Sequence, residues 1–397
     1  MKILVKHFKS IFNLQFSPGT INVLIGPNGS GKSALLEALG VLSAAIDERV
    51  DDSSLTYRGV RLGTPALYKS SFKNENIPLT IELGVNWKNE FGTWKYNVNL
   101  NNPIDRPLPS WEYHSERLIL DDEVIFGRSR ATKLQNLDIV IDKYKSLFSF
   151  SKGVGTVRNA EDLFNAFSQY AIYTPSTNTL RGVQPDLTQR EPIGLNGGRL
   201  AEAVNELLDI KKELFGKMDL DELYQLIDWV GNVAVGRPTK DLLAPSVPST
   251  HKVIRFKDRF MKEGRNELTP YDASEGSLYV LFVLALAMHP NSPKMFAIDN
   301  FDQAMNPRLA RRVATVFCEQ AIKNKKIVFI TTHNPHVLDG LNIKDDRIRL
   351  FAVNRSLKGF TQLKRITLTD DLLKKGKEGY SLSRLWVMGL LGGVPNL

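Results

Sequence analysis

The stretch Gly26, Pro27, Asn28, Gly29, Ser30, Gly31, Lys32 and Ser33 has the spacing of a phosphate-binding loop. Its glycines let backbone N–H groups turn toward phosphate oxygens. The helix expected to follow starts with its positive end aimed at the same charge. In such a loop Lys32 reaches the β- and γ-phosphates, and the Ser33 hydroxyl is a Mg²⁺ ligand. A second chemical group lies far downstream. The run "KMFAIDNFDQAMNP" is apolar up to Asp299, and an apolar strand that ends in Asp can hold Mg²⁺ directly or through water. A third follows in "VFITTHNP", where His333 ends another apolar run and can hydrogen-bond a terminal phosphate or an attacking water. ATP and Mg²⁺ are the cofactors these groups imply.

The order of the surrounding elements suits that chemistry. "MKILVKHFKS", "LQFSPGT" and "INVLIG" read as strands, the last leading into the loop. "ALLEALGVLSAA" after it has helical spacing and small residues. "IPLTIELGVNW" and "TWKYNVNL" form an expected antiparallel pair about the turn "KNEFG". "AEDLFNAFSQYAIY", "RLAEAVNELLDIKKELF" and "DELYQLIDWVGNV" read as helical. From about residue 252 strand signals resume. They are followed by "DASEGSLYVLFVLALAMH", a strand "KMFAID", a helix "RLARRVATVFCEQAIKN" and a strand "KIVFITTH". Strand and helix alternating in this way argue for an α/β fold with a mostly parallel central sheet. The expected division is an N-terminal core part over 1–100, an inserted mainly helical lid over 101–250, and a C-terminal core part over 251–397.

Composition sets the outer limits. The chain has 397 residues, 42% hydrophobic and 24% charged, which suits a large soluble domain. No apolar run approaches the ~20 residues of a membrane span, and the first residues lack a secretory pattern. The single cysteine, Cys318, reads as a buried structural thiol in a reducing cytoplasm. The formal charge of +9 permits a nucleic-acid partner, although runs such as "RFKDRFMK" and "RLARR" also fit solvated faces.

Taken with "DASEGSLYVL", these motifs resemble the ABC-type ATPase superfamily, and more narrowly the single-chain AAA-type proteins of the SMC/RecF/OLD branch. The resemblance implies a P-loop NTPase head of ABC type with an antiparallel β subdomain and a helical lid. Its signature, a Ser-x-Gly at a helix start, is matched by Ser274, Glu275 and Gly276. In that family two heads dimerise head-to-tail around ATP, so a homodimer or higher homo-oligomer is implied. The Ser hydroxyl and helix end would then meet the γ-phosphate held by the other subunit, which agrees with the physics of an anion site. "NTLRGVQ" followed by "PIGLNGGRLAEAVNELL" also resembles this branch. The tail "LSRLWVMGLLGGVPNL" resembles those of ATPases in bacterial anti-phage defence operons, which implies a separate effector such as a nuclease or toxin.

Two departures from the family pattern carry consequences. Asn300 stands where the family places its catalytic glutamate. An amide orients water but takes no proton, so about 10²–10⁴ in rate is at stake. Asp302 is either a substitute base or a cap for the helix beginning near Pro307. The family's glutamine between loop and lid has no counterpart in residues 50–75. After His333, "IKDDRIRL" is the sole acidic pair among strand-like residues, too few carboxylates for the Toprim nuclease of the OLD type. No long coiled-coil arms interrupt the core, and "ASEGS" is unlike a transporter signature. The expected role is a slow nucleotide switch over a partner effector. The alternatives are a RecF-like DNA repair ATPase and an ATP-locked scaffold.

Overall fold

The computed structural model describes residues 1–128, 142–151, 155–210, 213–237 and 252–393. Its centre is a six-stranded sheet in the order Thr361–Ile366, Ile348–Arg355, Ile21–Ile25, Ile327–Thr331, Met295–Ile298, Ile172–Tyr173. Every neighbouring pair is parallel except the edge pair of Ile348–Arg355 with Thr361–Ile366. The strands Ile21–Ile25, Met295–Ile298 and Ile327–Thr331 are apolar apart from Asn22 and Thr331, because both faces are covered. Period-two alternation sends Val23 and Ile25 to one core and Leu24 to the other.

On one face lies the helix Lys32–Asp47, and beyond it a second, antiparallel six-stranded sheet. That sheet runs Ile11–Phe16, Lys2–Phe8, Ile81–Asn89, Gly92–Asn101, Glu112–Leu120, Glu123–Arg128. A helix held between two sheets must be buried nearly all round, which is why its sequence is rich in Ala and Leu. A Cβ on Gly40 would come within 2.4 Å of Val60 Cγ2, so the packing there needs glycine. The opposite face of the central sheet carries helices Glu275–Met288 and Pro307–Lys323.

The expected hairpin is present, with Ile81 facing Leu100 and Asn89 facing Gly92. Three sequence expectations need correction. The boundary at residue 100 cuts through one sheet, since Gly92–Asn101 pairs with Glu112–Leu120. The helical reading of "AEDLFNAFSQYAIY" holds for Glu161–Phe167, but Ile172 and Tyr173 form a strand beside Ala297 and Ile298. "DELYQLIDWVGNV" is helical only over Leu220–Leu226; Val230–Gly236 is a strand paired with Val253–Asp258. In both cases pairing with a distant strand overrides local periodicity. The segment expected as a lid thus holds short helices and the strand Val230–Gly236, whose three-stranded sheet is completed past residue 250 by Val253–Asp258 and Glu267–Leu268. Cys318 is buried, and burial pushes its thiol up to about 12, as suits an inert core residue.

Candidate functional site

The loop Gly26–Ser33 joins the strand Ile21–Ile25 to the helix Lys32–Asp47 at the C-terminal edge of the central sheet. Gly29 and Gly31 have φ of 73° and 110°, a region open to glycine but strained for other residues. At Gly31 a Cβ would also lie 2.2 Å from Thr361 Oγ1. Lys32 Nζ donates to Gly26 O at 2.7 Å and Pro27 O at 3.0 Å. Burial holds its pKa below the usual lysine value, and Asp299 partly offsets this. The Ser30 hydroxyl is buried and has no hydrogen-bond partner among the described residues.

The adjacent strand Met295–Ile298 delivers Asp299 to this loop. Ser33 Oγ donates to Asp299 Oδ2 at 2.9 Å, across 266 residues of sequence. The other carboxylate oxygen accepts from Thr331 Oγ1, and Thr331 Oγ1 accepts from Asn300 N at 2.9 Å. Asn300 itself sits at φ 57°, in the left-handed region where Asn is tolerated best after glycine. Asp302 Oδ1 accepts from Thr332 Oγ1 at 2.6 Å and from His333 N at 3.4 Å. It does not cap the following helix; Asn306 does, accepting from Leu309 N at 3.0 Å. Burial and the nearby Lys32 hold His333 below the ordinary histidine pKa, against the pull of Asp302 and Asp299.

Asn28, Gly29, Gly31, Lys32 and Ser33 share one open pocket of about 520 Å³ with Asp299, Asn300 and His333. Its lining also holds Ala34 and four polar residues that the sequence does not single out: Lys9, Ser10, Arg61 and Arg355. Lys9 and Arg61 both bond to Glu37 in the buried helix, at 2.5 and 2.6 Å. Arg355 Nε donates to Gly29 O at 2.9 Å. Lys9 and Ser10 are neighbours near the start of the chain, while Arg61 and Arg355 lie far from them in sequence, and no local motif marks any of the four. Ser274, Glu275 and Gly276 lie outside this pocket. Ser274 caps the helix Glu275–Met288, accepting from Ser277 N at 3.4 Å, while Glu275 accepts from Thr177 Oγ1. Thr174, Pro175 and Ser176 leave the strand Ile172–Tyr173, whose Tyr173 O accepts from Asp299 N at 3.0 Å.

The residues fit a magnesium nucleotide. Ser33 and Asp299 offer paired hard oxygen donors, Lys32 supplies charge, and the glycine turns leave the loop backbone open to phosphate. Residues 21–339 match the family model described as "AAA domain, putative AbiEii toxin, Type IV TA system". The chain belongs to this AAA-domain family. Members of such P-loop ATPase families generally use ATP with Mg²⁺. No curated protein matches the AAA-domain chain in sequence. Among solved structures it resembles an Smc head bound to the C-winged helix domain of ScpA, with 15% identity and a TM-score of 0.51, covering 92% of this chain and 98% of that one. The SMC head domain from Thermotoga maritima aligns at 13% identity and a TM-score of 0.46, over 92% and 98% of the two chains. A Pyrococcus furiosus Smc head with extended coiled coil gives 13% and 0.48, over 95% and 98%. The fold is that of a P-loop NTPase head of the SMC/ABC branch. Among the described residues no helix is long and apolar enough to cross a membrane.

Proposed function

We propose that this AAA-domain protein is a slow ATP-driven switch whose heads close head-to-tail on Mg-ATP and control a separate effector in anti-phage defence. The observation that carries the nucleotide part is the Ser33–Asp299 bond of 2.9 Å, which closes one phosphate site from two distant segments. When bound, Mg-ATP supplies the phosphoryl group to be cleaved. Lys32 neutralises phosphate charge, and Ser33 with Asp299 holds the metal. His333, kept neutral by its surroundings, hydrogen-bonds the terminal phosphate or the water. Asn300 orients that water without taking its proton. Asp302, just outside the pocket lining, is held by Thr332 and the backbone of His333, which makes it a positioning residue for His333 and, in this reading, the candidate base.

Ser274 and the start of the helix it caps are not in the lining of the chain's own pocket, and in this reading a second copy receives their contact with phosphate. The family description names a putative toxin of a type IV TA system, which supports a toxin-linked role. The idea of a partner polypeptide draws on the similar Smc head, which was solved with a domain of another polypeptide. The ATP-locked scaffold remains the second reading because of Asn300, and turnover decides between the two. Nucleotide binding is tested with Lys32→Ala, which should abolish binding of a fluorescent ATP analogue. Undiminished binding by that variant refutes the site.

A further inference from the structure

The hairpin that joins Val253–Asp258 to Glu267–Leu268 carries side chains no site above uses. Its base is closed, with Asp258 N donating to Asn266 O at 2.7 Å. Asp258 Oδ1 accepts from Phe260 N at 2.7 Å and from Met261 N at 3.2 Å, so the backbone of the tip is fixed. This ordered turn nevertheless holds Phe260 75% exposed and Met261 46% exposed. Arg255 and Lys257 on the strand are paired with Glu267 and Glu263. At the tip, Arg259, Lys262 and Arg265 are exposed and, among the described residues, in no ion pair. The Arg259 guanidinium lies 4.8 Å from the centroid of the Phe260 ring.

An outward aromatic ring with unpaired cations around it suits a polymer that alternates flat rings with phosphates. We propose that this hairpin tip binds single-stranded nucleic acid, with Phe260 stacking on an unpaired base and Arg259, Lys262 and Arg265 taking neighbouring phosphates. A membrane surface is the poorer match, because one Phe and one Met bury little apolar area while the charge is spread around the loop.

The tip is also tied to the signature helix. Arg259 N donates to Trp229 O at 3.1 Å, and Trp229 Nε1 donates to Ser277 Oγ at 3.1 Å. Ser277 N donates in turn to the Ser274 hydroxyl. Occupancy of the hairpin is therefore placed to bias Ser274, a coupling that rests on the switch reading, whereas the binding itself does not. Linkage requires ATP to change nucleic-acid affinity by the same factor that nucleic acid changes ATP affinity.

The test is fluorescence anisotropy of the full chain with labelled DNA and RNA single strands and with a DNA duplex, over a salt series. Single strands should bind more tightly than duplex. Phe260→Ala should weaken single-strand binding by about tenfold and leave duplex binding unchanged. Replacing Arg259, Lys262 and Arg265 by Ser should flatten the log-affinity against log-salt slope by about 2. The DNA and RNA arms show which sugar is preferred. Equal binding of duplex and single strand with Phe260→Ala silent overturns the proposal, as does binding to anionic vesicles without oligonucleotide binding. The coupling is read by repeating the single-strand titration on the wild-type chain with and without saturating Mg-ATP. If ATP leaves wild-type affinity unchanged, the coupling is refuted.

Discussion

Replacing Asn300 by Glu puts two effects of different size against each other. The backbone at 300 is held at φ 57° by the bond of Asn300 N to Thr331 Oγ1 and by Phe301 N donating to Thr331 O at 2.9 Å. A left-handed residue costs about 1–2 kcal/mol for ordinary side chains and less for Asn, so Glu should cost about 1 kcal/mol. In a chain of this length that lowers Tm by about 2 °C. It is small beside a total stability of about 5–15 kcal/mol, so the variant should still fold. The same change places a carboxylate on the rim of the pocket and restores a group that accepts a proton. Turnover should rise by about 10²–10⁴ if proton transfer is what holds wild type back. Phosphate release at saturating Mg-ATP reads the rate, and scanning calorimetry reads the Tm. Asn300→Asp retains the tolerance for left-handed backbone and should leave Tm unchanged. A turnover within threefold of wild type, at unchanged ATP affinity, would refute Asn300 as the brake. An unshifted Tm in Asn300→Glu would refute the backbone argument.

Asp302→Ala should cut the residual turnover of wild type while ATP binding stays intact; equal turnover in a phosphate-release assay excludes Asp302 from the water step. His333 has its pKa depressed, so it stays neutral on acidification to below about 6.5, and loss of turnover should begin only under that pH. NMR titration of the imidazole checks the direction, and a midpoint above the ordinary histidine value contradicts it. In the antiparallel sheet, Glu116 is fully buried, 2.8 Å from Arg128, and also accepts from Leu147 N and Ser146 Oγ at 2.8 Å. Glu116→Ala leaves Arg128 charged and unpaired and should destabilise by about 3–5 kcal/mol, visible as an early thermal transition.

The sequence by itself determined the phosphate loop, the strand-end Asp299 and His333, and the helix that Ser274 begins. These are legible because each depends on contiguous residues: a glycine turn before a helix, an apolar run ending in a polar group, a cap. The alternation of strand and helix after residue 270 likewise fixed a parallel sheet. The tertiary structure alone decided that Ile172 and Tyr173 are a strand, because two residues become one only when Ala297 and Ile298 lie beside them. It also decided that the antiparallel sheet continues past residue 100 to Arg128. Lys9, Arg61 and Arg355 entered the pocket by the same route, through neighbours far away in the chain. Asn300 shows the limit most clearly. The sequence presents it as a lost glutamate, while the fold adds that the backbone there turns left-handed, a conformation that favours Asn for reasons no pattern of neighbouring side chains reveals.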